Sequence, residues 1–278
     1  VNSSGQAIAI AGVSAATGSE YDWETDTQNY IVQCKLEDNK YVIASLDKSN
    51  TDYATARVIT ISGTTPTAHT PVSASTAEGK ELAICKVSST VFCLTYQTGS
   101  GSSLQQYAKL GTVSGNSISF GSATSIWGPC AATSGGGSNN AVGYQSDVGA
   151  LLFVYAQDNS SGKPYARAAH ISGTSIVLSS AGSMMMRNQN YAHNFTITEN
   201  TTDNYLFVSW ESSNDGHVRA RTAKLSGSTN HTTEFGTDHK PCAAPARGHG
   251  RSCYNPDLIF IFKFIKFHSN NIASSWNG

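Results

Sequence analysis

Hydrophobic and polar residues alternate along this chain in short runs that recur four times in the same order. The first run of each set, at residues 30–36, 82–87, 141–144 and 192–197, alternates with a period near two. The second, at 41–47, 91–97, 151–158 and 205–211, is apolar and ends on a polar group. The third carries an alanine followed by a basic residue: Ala56-Arg57, Ala108-Lys109, Ala166-Arg167 and Ala220-Arg221. It runs into a Ser-Gly dipeptide, and a short apolar segment follows, as in Ile118-Ser119-Phe120 or Ile176-Val177-Leu178. Period-two patterning with β-branched and aromatic enrichment predicts four strands per set, A to D. Ser-Gly then marks the C-to-D hairpin, where glycine supplies the positive φ of a tight turn.

The dipeptides Ser4-Gly5, Ser62-Gly63, Ser114-Gly115, Ser172-Gly173 and Ser226-Gly227 set the period, with glycine spacings of 58, 52, 58 and 54. Four-stranded units at such a spacing predict an all-β, five-bladed β-propeller forming one domain over residues 1–278. Its units fall at about 27–78, 79–129, 130–183 and 184–237. The fifth combines 238–278 with 1–26, so a D strand at residues 7–10 is expected to complete the last blade. Completion within the molecule removes an exposed edge; completion in a neighbour builds a head-to-tail fibre.

Composition narrows the partners. Net charge is −1 and charged residues make up 13% of the chain, with no basic block, so nucleic acid is a poor candidate. The most apolar stretch, 258–265, is too short for a membrane helix and is interrupted by Lys263, so no membrane span is expected. Asn2, Asn159, Asn194, Asn200 and Asn230 each begin a glycosylation sequon. Asn159, Asn200 and Asn230 fall in predicted turns or loops. Six cysteines, Cys34, Cys85, Cys93, Cys130, Cys242 and Cys253, suit disulfide bonding in an oxidising space, and Cys85 with Cys93 lie on adjacent predicted strands. Together these predict a secreted, extracellular glycoprotein.

Candidate binding groups cluster in strand C: Tyr53 and Arg57, Tyr107 and Lys109, Tyr165 and Arg167, Arg219 and Arg221. Alternation puts each pair on one sheet face. They form either a ring of sugar- or anion-binding sites between blades, or structural pairs with the polar ends of strand B at Asp47, Gln97, Asp158 and Glu211. Charges buried between blades need partners, which favours the structural alternative.

Catalytic motifs are scarce. The chain has no nucleophile elbow, zinc-protease pair, phosphate loop or calcium loop, and no cofactor is expected. Glu20, Asp22, Glu24 and Asp26, just before the first A strand, are the acids that a two-carboxylate glycosidase would draw on.

The unit 152–158, 164–167 and 171–176, with the stretch 109–121, resembles repeats of propeller-type surface proteins, such as adhesins and phage or bacterial surface proteins. The five-unit count is also similar to that of some secreted invertebrate lectins. The resemblance implies a non-enzymatic recognition or adhesion module that takes a carbohydrate or cell-surface ligand. Two alternatives stand beside it: a protomer of a glycosylated fibre made of copies of this chain, and a five-bladed-propeller glycosidase.

Overall fold

The computed structural model describes residues 28–100, 103–128, 139–157, 162–188, 192–212 and 217–238. These form an all-β arrangement of antiparallel four-stranded units, propeller-like in the way successive sheets pack face to face. Blade 1 comprises β1 (Gln28–Glu37), β2 (Lys40–Asp47), β3 (Tyr53–Ser62) and an outer strand made of β4 (Thr65–Ala68) and the first half of β5 (Val72–Lys86). Blade 2 takes the second half of β5, then β6 (Val91–Thr98), β7 (Gln105–Ser114), and the outer β8 (Ser117–Phe120) with β9 (Thr124–Trp127). Blade 3 is β10 (Asn140–Gln145), β11 (Ala150–Gln157), β12 (Lys163–Ser172) and β13 (Ser175–Met185). Blade 4 is β14 (Ala192–Asn200), β15 (Tyr205–Ser212), β16 (His217–Ser226) and β17 (Thr232–Phe235). The expected fifth unit and its N-terminal strand lie outside the described residues. No helix among the described residues is long and apolar enough to cross a membrane.

The four Ser-Gly dipeptides among the described residues occupy equivalent positions, as the period predicts, and Ser4-Gly5 lies outside those residues. Each serine is the last residue of its C strand. Gly63, Gly115 and Gly173 each adopt φ +60, and Gly227 adopts φ +93. An added Cβ at Gly63, Gly115 or Gly173 would meet nothing within 4 Å, so these turns need glycine for its backbone and not for space. Ser62 pairs Thr65, Ser114 pairs Ser117 and Ser172 pairs Ser175, closing two-residue hairpins.

Two details depart from a simple four-strand repeat. The outer strand is split in blades 1 and 2. In blade 1 the break holds Pro71, which has no N–H to give the ladder. Strand β5 is also shared: Glu78 pairs Tyr53 of blade 1, while Gly79 pairs Thr98 of blade 2. A Cβ at Gly79 would come within 2.8 Å of the Leu46 side chain, so the crossing runs tight against blade 1.

Neighbouring blades meet through three apolar layers. Leu46, Ala54 and Val58 pack against Phe92, Leu94 and Tyr96 between blades 1 and 2. Leu110 and Ile126 pack against Leu151, Phe153 and Tyr155 between blades 2 and 3. Leu152 and Val154 pack against Leu206, Val208 and Trp210 between blades 3 and 4. Alternate residues of β11 therefore face opposite neighbours, and the strand is buried from Ala150 to Ala156. The first strands approach most closely: β1 meets β5, β5 meets β10, and β10 meets β14. They are the inner strands.

Cys34, Cys85 and Cys93 are free thiols, which corrects the expectation of disulfides for these three. Cys85 and Cys93 are directly opposed cross-strand partners, and the thiols meet as a hydrogen-bonded pair. A bond there would close a loop of only 9 residues, from 85 to 93, and so remove little entropy from the unfolded chain. Cys130, Cys242 and Cys253 lie outside the described residues. Burial, with Cys85 beside it and Lys86 opposing, pushes the Cys34 thiol up to about 12 from 9.0. The hydrogen bond from Cys93, then burial, hold the Cys85 thiol well above its ordinary value.

The turns, the packing and the thiols each give an expected outcome. Gly63→Ala costs about 1 kcal/mol through backbone strain alone. Gly111→Ala drives a methyl into the Phe92 ring, which stands 2.1 Å from the Cβ position, and overpacking of this kind costs about 1–3 kcal/mol. Urea unfolding checks both, and equal midpoints for wild type and Gly111→Ala would contradict the packing. For the thiols, folding raises the Cys34 value, so its contribution is complete below pH 9.0 and is lost as pH rises towards about 12. Unfolding midpoints between neutral and alkaline pH should therefore fall less steeply in Cys34→Ala than in wild type.

Candidate functional site

The inner strands begin at the end of the blades where B strands finish and C strands start. Three of them carry the same irregularity there. Register shifts between Asn29 and Val32, Lys80 and Ala83, and His193 and Thr196 place one residue of each strand out of the ladder. Those residues adopt positive φ: Tyr30 at +49, Glu81 at +46 and Asn194 at +55. Asparagine tolerates the left-handed region, but tyrosine and glutamate rarely enter it, and such strain persists only where the surroundings hold it. Asn139 stands at the equivalent place in blade 3, ahead of the regular pairing that begins with Asn140 and Tyr155.

Around Glu81 the interface between blades 2 and 3 changes from apolar to polar. Glu81, Thr95, Gln97, Gln106, Asn139 and Asn140 are all buried. Glu81 Oε2 accepts the backbone N–H of Asn139 at 2.8 Å, and its main-chain carbonyl accepts from Asn140 Nδ2 at 3.3 Å. Thr95 Oγ1 donates to Asn140 Oδ1 at 2.7 Å. Gln97 and Gln106 are cross-strand partners. By alternation they share the face of Cys93 and Leu110, which turns to blade 3. Both amides are fully buried, and none of their four nitrogen and oxygen atoms has a hydrogen-bond partner among the described residues. Buried amides are nearly always satisfied, so two adjacent unsatisfied ones mark a place suited to a polar guest. Trp127, the partner of Gln106, extends the site as an aromatic wall, stacked on Tyr155 at 5.9 Å between ring centres, with Tyr165 a further 6.4 Å along.

Blade 4 repeats part of this arrangement. Glu211 takes the strand position that Gln97 holds in blade 2. Its carboxylate accepts from Asn194 Nδ2 at 3.1 Å and lies 3.5 Å from His193 Nε2. Among the described residues no group of three or more His, Cys, Asp or Glu side chains is placed to hold a metal ion.

The basic residues of strand C are not gathered at this site. Arg57, Lys109, Arg167 and Arg221 face the middle of strand B, opposite Ile43, Leu94, Phe153 and Val208, and not its polar end. Arg167 Nη1 donates to the Ile126 carbonyl of the preceding blade at 2.9 Å. Lys109 sits over the Phe120 ring at 5.9 Å, and burial lowers its pKa as it does that of Arg221. Arg219 is buried beside Asp238, which also pairs Arg187. Tyr107 stacks on Tyr96 at 5.9 Å and donates to Gln105 Oε1. Tyr53 pairs both Asp47 and Glu78 along the ladder.

Of the sequons, Asn200 ends β14 and folds its amide into the following turn, accepting from Thr202 and Asp203 N–H groups. Asn230 is exposed in the C–D loop of blade 4, where its Oδ1 accepts from Ser180 of blade 3. Asn194 lies in the bulge of β14. Asn2 and Asn159 are outside the described residues, as are Glu20, Asp22, Glu24 and Asp26. Sequence reasoning missed Glu81, Gln97 and Gln106 as a group. The signal present was a glutamate, Glu81, one residue before the alternating run at 82–87 and pointing into a strand that otherwise reads as apolar.

No family model matches this chain. No curated protein matches it either. Among solved structures, an exo-β-1,3-galactanase from Phanerochaete chrysosporium, solved with β-1,3-galactotriose, is similar over 82% of this chain and 53% of its own, at 8% identity and a TM-score of 0.48. A prolyl endopeptidase is similar over 80% of this chain and 30% of its own, at 12% identity and a TM-score of 0.45. This chain thus spans about half and under a third of those two proteins. These two similar structures are a galactanase and an endopeptidase, not adhesins or lectins, contrary to the expectation of a recognition or adhesion module.

Proposed function

We propose that this chain is a secreted glycoside hydrolase on a five-bladed propeller frame, with its site where the inner strands of blades 2 and 3 begin. The observation that carries the proposal is Glu81: a buried carboxyl at φ +46, next to two glutamine amides with no partner among the described residues. Hydrolysis of a glycosidic bond uses two carboxyl groups, one protonating the departing oxygen and the other attacking or activating water. Glu81 takes one of these roles. The second carboxyl is supplied by Glu211 or by one of Glu20, Asp22, Glu24 and Asp26, which precede the inner strand of blade 1 in the chain. Gln97 and Gln106 supply donors and acceptors of the kind that sugar hydroxyls satisfy. Trp127 offers a flat apolar surface next to them. A propeller is a frame for many chemistries, so the assignment rests on these side chains and not on the architecture.

The test is hydrolysis of a panel of aryl glycosides and neutral polysaccharides. Wild type should hydrolyse at least one substrate. Glu81→Gln should lower its kcat by about 10²–10⁴-fold with the unfolding midpoint retained, as expected for loss of an acid–base group. Gln97→Ala should raise KM more than it lowers kcat. Wild-type rates in Glu81→Gln, or a panel with no substrate at all, would overturn the proposal.

A further inference from the structure

At the opposite end of the blades, between blades 3 and 4, two histidines face each other. His170 lies near the end of β12, paired across the sheet with Ala150 and Val177. Alternation turns it to the side of Ala166 and Ala168, the face packed against blade 4. His231 comes from that blade, in the loop just ahead of β17. The ring centres are 6.1 Å apart and the planes are inclined at 58°. His231 is 1% exposed, and neither of its ring nitrogens has a hydrogen-bond partner among the described residues. Nδ1 of His170 is also buried without one.

An imidazole always presents polar nitrogens at its edge: a donor and an acceptor when neutral, two donors when charged. A satisfied core histidine binds a carbonyl or a hydroxyl through at least one of them. His231 does neither, although its own main-chain carbonyl is well anchored, accepting from Ser179 Oγ at 2.7 Å. Asn230 beside it is held by Ser180 N and Oγ at 3.0 and 2.7 Å. The loop is therefore fixed to blade 3 from both sides of the histidine, while the ring it carries is left without a partner.

We infer that His170 and His231 form a two-histidine site for a borderline transition-metal ion such as Zn²⁺, Ni²⁺ or Cu²⁺, bound between blades 3 and 4. Neutral imidazole nitrogens are the preferred ligands of these ions, and hard ions such as Mg²⁺ and Ca²⁺ take oxygen instead. With metal–nitrogen bonds of about 2.0–2.1 Å, two imidazoles on one tetrahedral ion have ring centres roughly 5 Å apart. Closing from 6.1 Å needs a shift of about 1 Å, within reach of side-chain rotation. No third His, Cys, Asp or Glu completes the set among the described residues, so the remaining positions go to water. The ion binds reversibly and ties blade 4 to blade 3.

Thermal unfolding of the full chain with added ZnCl₂ or MgCl₂, each repeated after EDTA, tests this. Zn²⁺ should raise the wild-type Tm, EDTA should reverse the rise, and Mg²⁺ should leave it unchanged. Co²⁺ titration should give the visible absorption of a nitrogen-ligated ion. His170→Ala, on the half-buried partner, should weaken Co²⁺ binding at least tenfold, and His231→Gln should do the same. If His231→Gln fails to fold, His170→Ala alone decides. Equal Zn²⁺ and Co²⁺ responses in wild type and His170→Ala, or no response in wild type, would overturn the site. Glycosidase activity is not the readout, so this result and that of the Glu81→Gln test stand separately.

Discussion

Blades 2 and 3 are covered on both faces by their neighbours, and the rest of the described structure depends on that packing. A sheet with one wet face needs apolar residues at every second position. A sheet between two others needs them at nearly all. In β11 both parities are apolar: Leu151, Phe153 and Tyr155 go to blade 2, and Leu152, Val154 and Ala156 go to blade 4. No single blade could fold alone with such strands, because half of this surface would stay in water. Glycines serve the same packing. Gly143 lies against Ile197 of the next blade, where a Cβ would approach to 2.3 Å, and Gly121 lies against the Thr174 carbonyl, where it would approach to 2.1 Å.

Packing of this kind sets the terms for polar groups. A polar side chain between blades must find a partner across the gap or cost stability. Most do find one. Thr124 Oγ1 reaches the Ile176 carbonyl, Lys86 reaches Leu36, and Gln145 makes two bonds to Leu225. Arg167 of strand C belongs to this class, donating to the Ile126 carbonyl. Against that background the side chains of Gln97, Gln106 and His231 stand out, since each is buried between blades with no hydrogen bond among the described residues. Glu81 adds a strained backbone to the same interface as the two glutamines. Polar groups that spend stability without helping to join the blades are where function is most reasonably sought.

Much of the fold was legible in the chain. Strand positions follow from runs such as 91–97 and 151–157, because burial on both faces leaves long apolar stretches bounded by turn residues. The Ser-Gly hairpins were legible because one glycine conformation is required at each. The sharing of β5 between two blades was not, since Gly79 at the crossing does not interrupt the strand and the switch of partner is a tertiary event. The site was less legible still. Glu81 reads as an ordinary acid beside Lys80, and only the bulge turns it inward. Gln97 and Gln106 are 9 positions apart in sequence and meet only through the register of β6 with β7. His170 and His231 are 61 positions apart and belong to different blades. The regular strand-C pattern was legible, and the register sets its basic residues opposite the middle of strand B, away from Glu81.

The central claim, that neighbouring residues of one strand serve different interfaces, is tested most directly by double-mutant cycles read from urea unfolding. Leu152→Ala and Val208→Ala should couple by about 0.5 kcal/mol or more, as contacting residues do. Phe153→Leu and Val208→Ala should add within about 0.3–0.5 kcal/mol, although Phe153 is the next residue along the chain. Strong coupling of Phe153 with Val208, together with additivity of Leu152 and Val208, would contradict the arrangement of the blades.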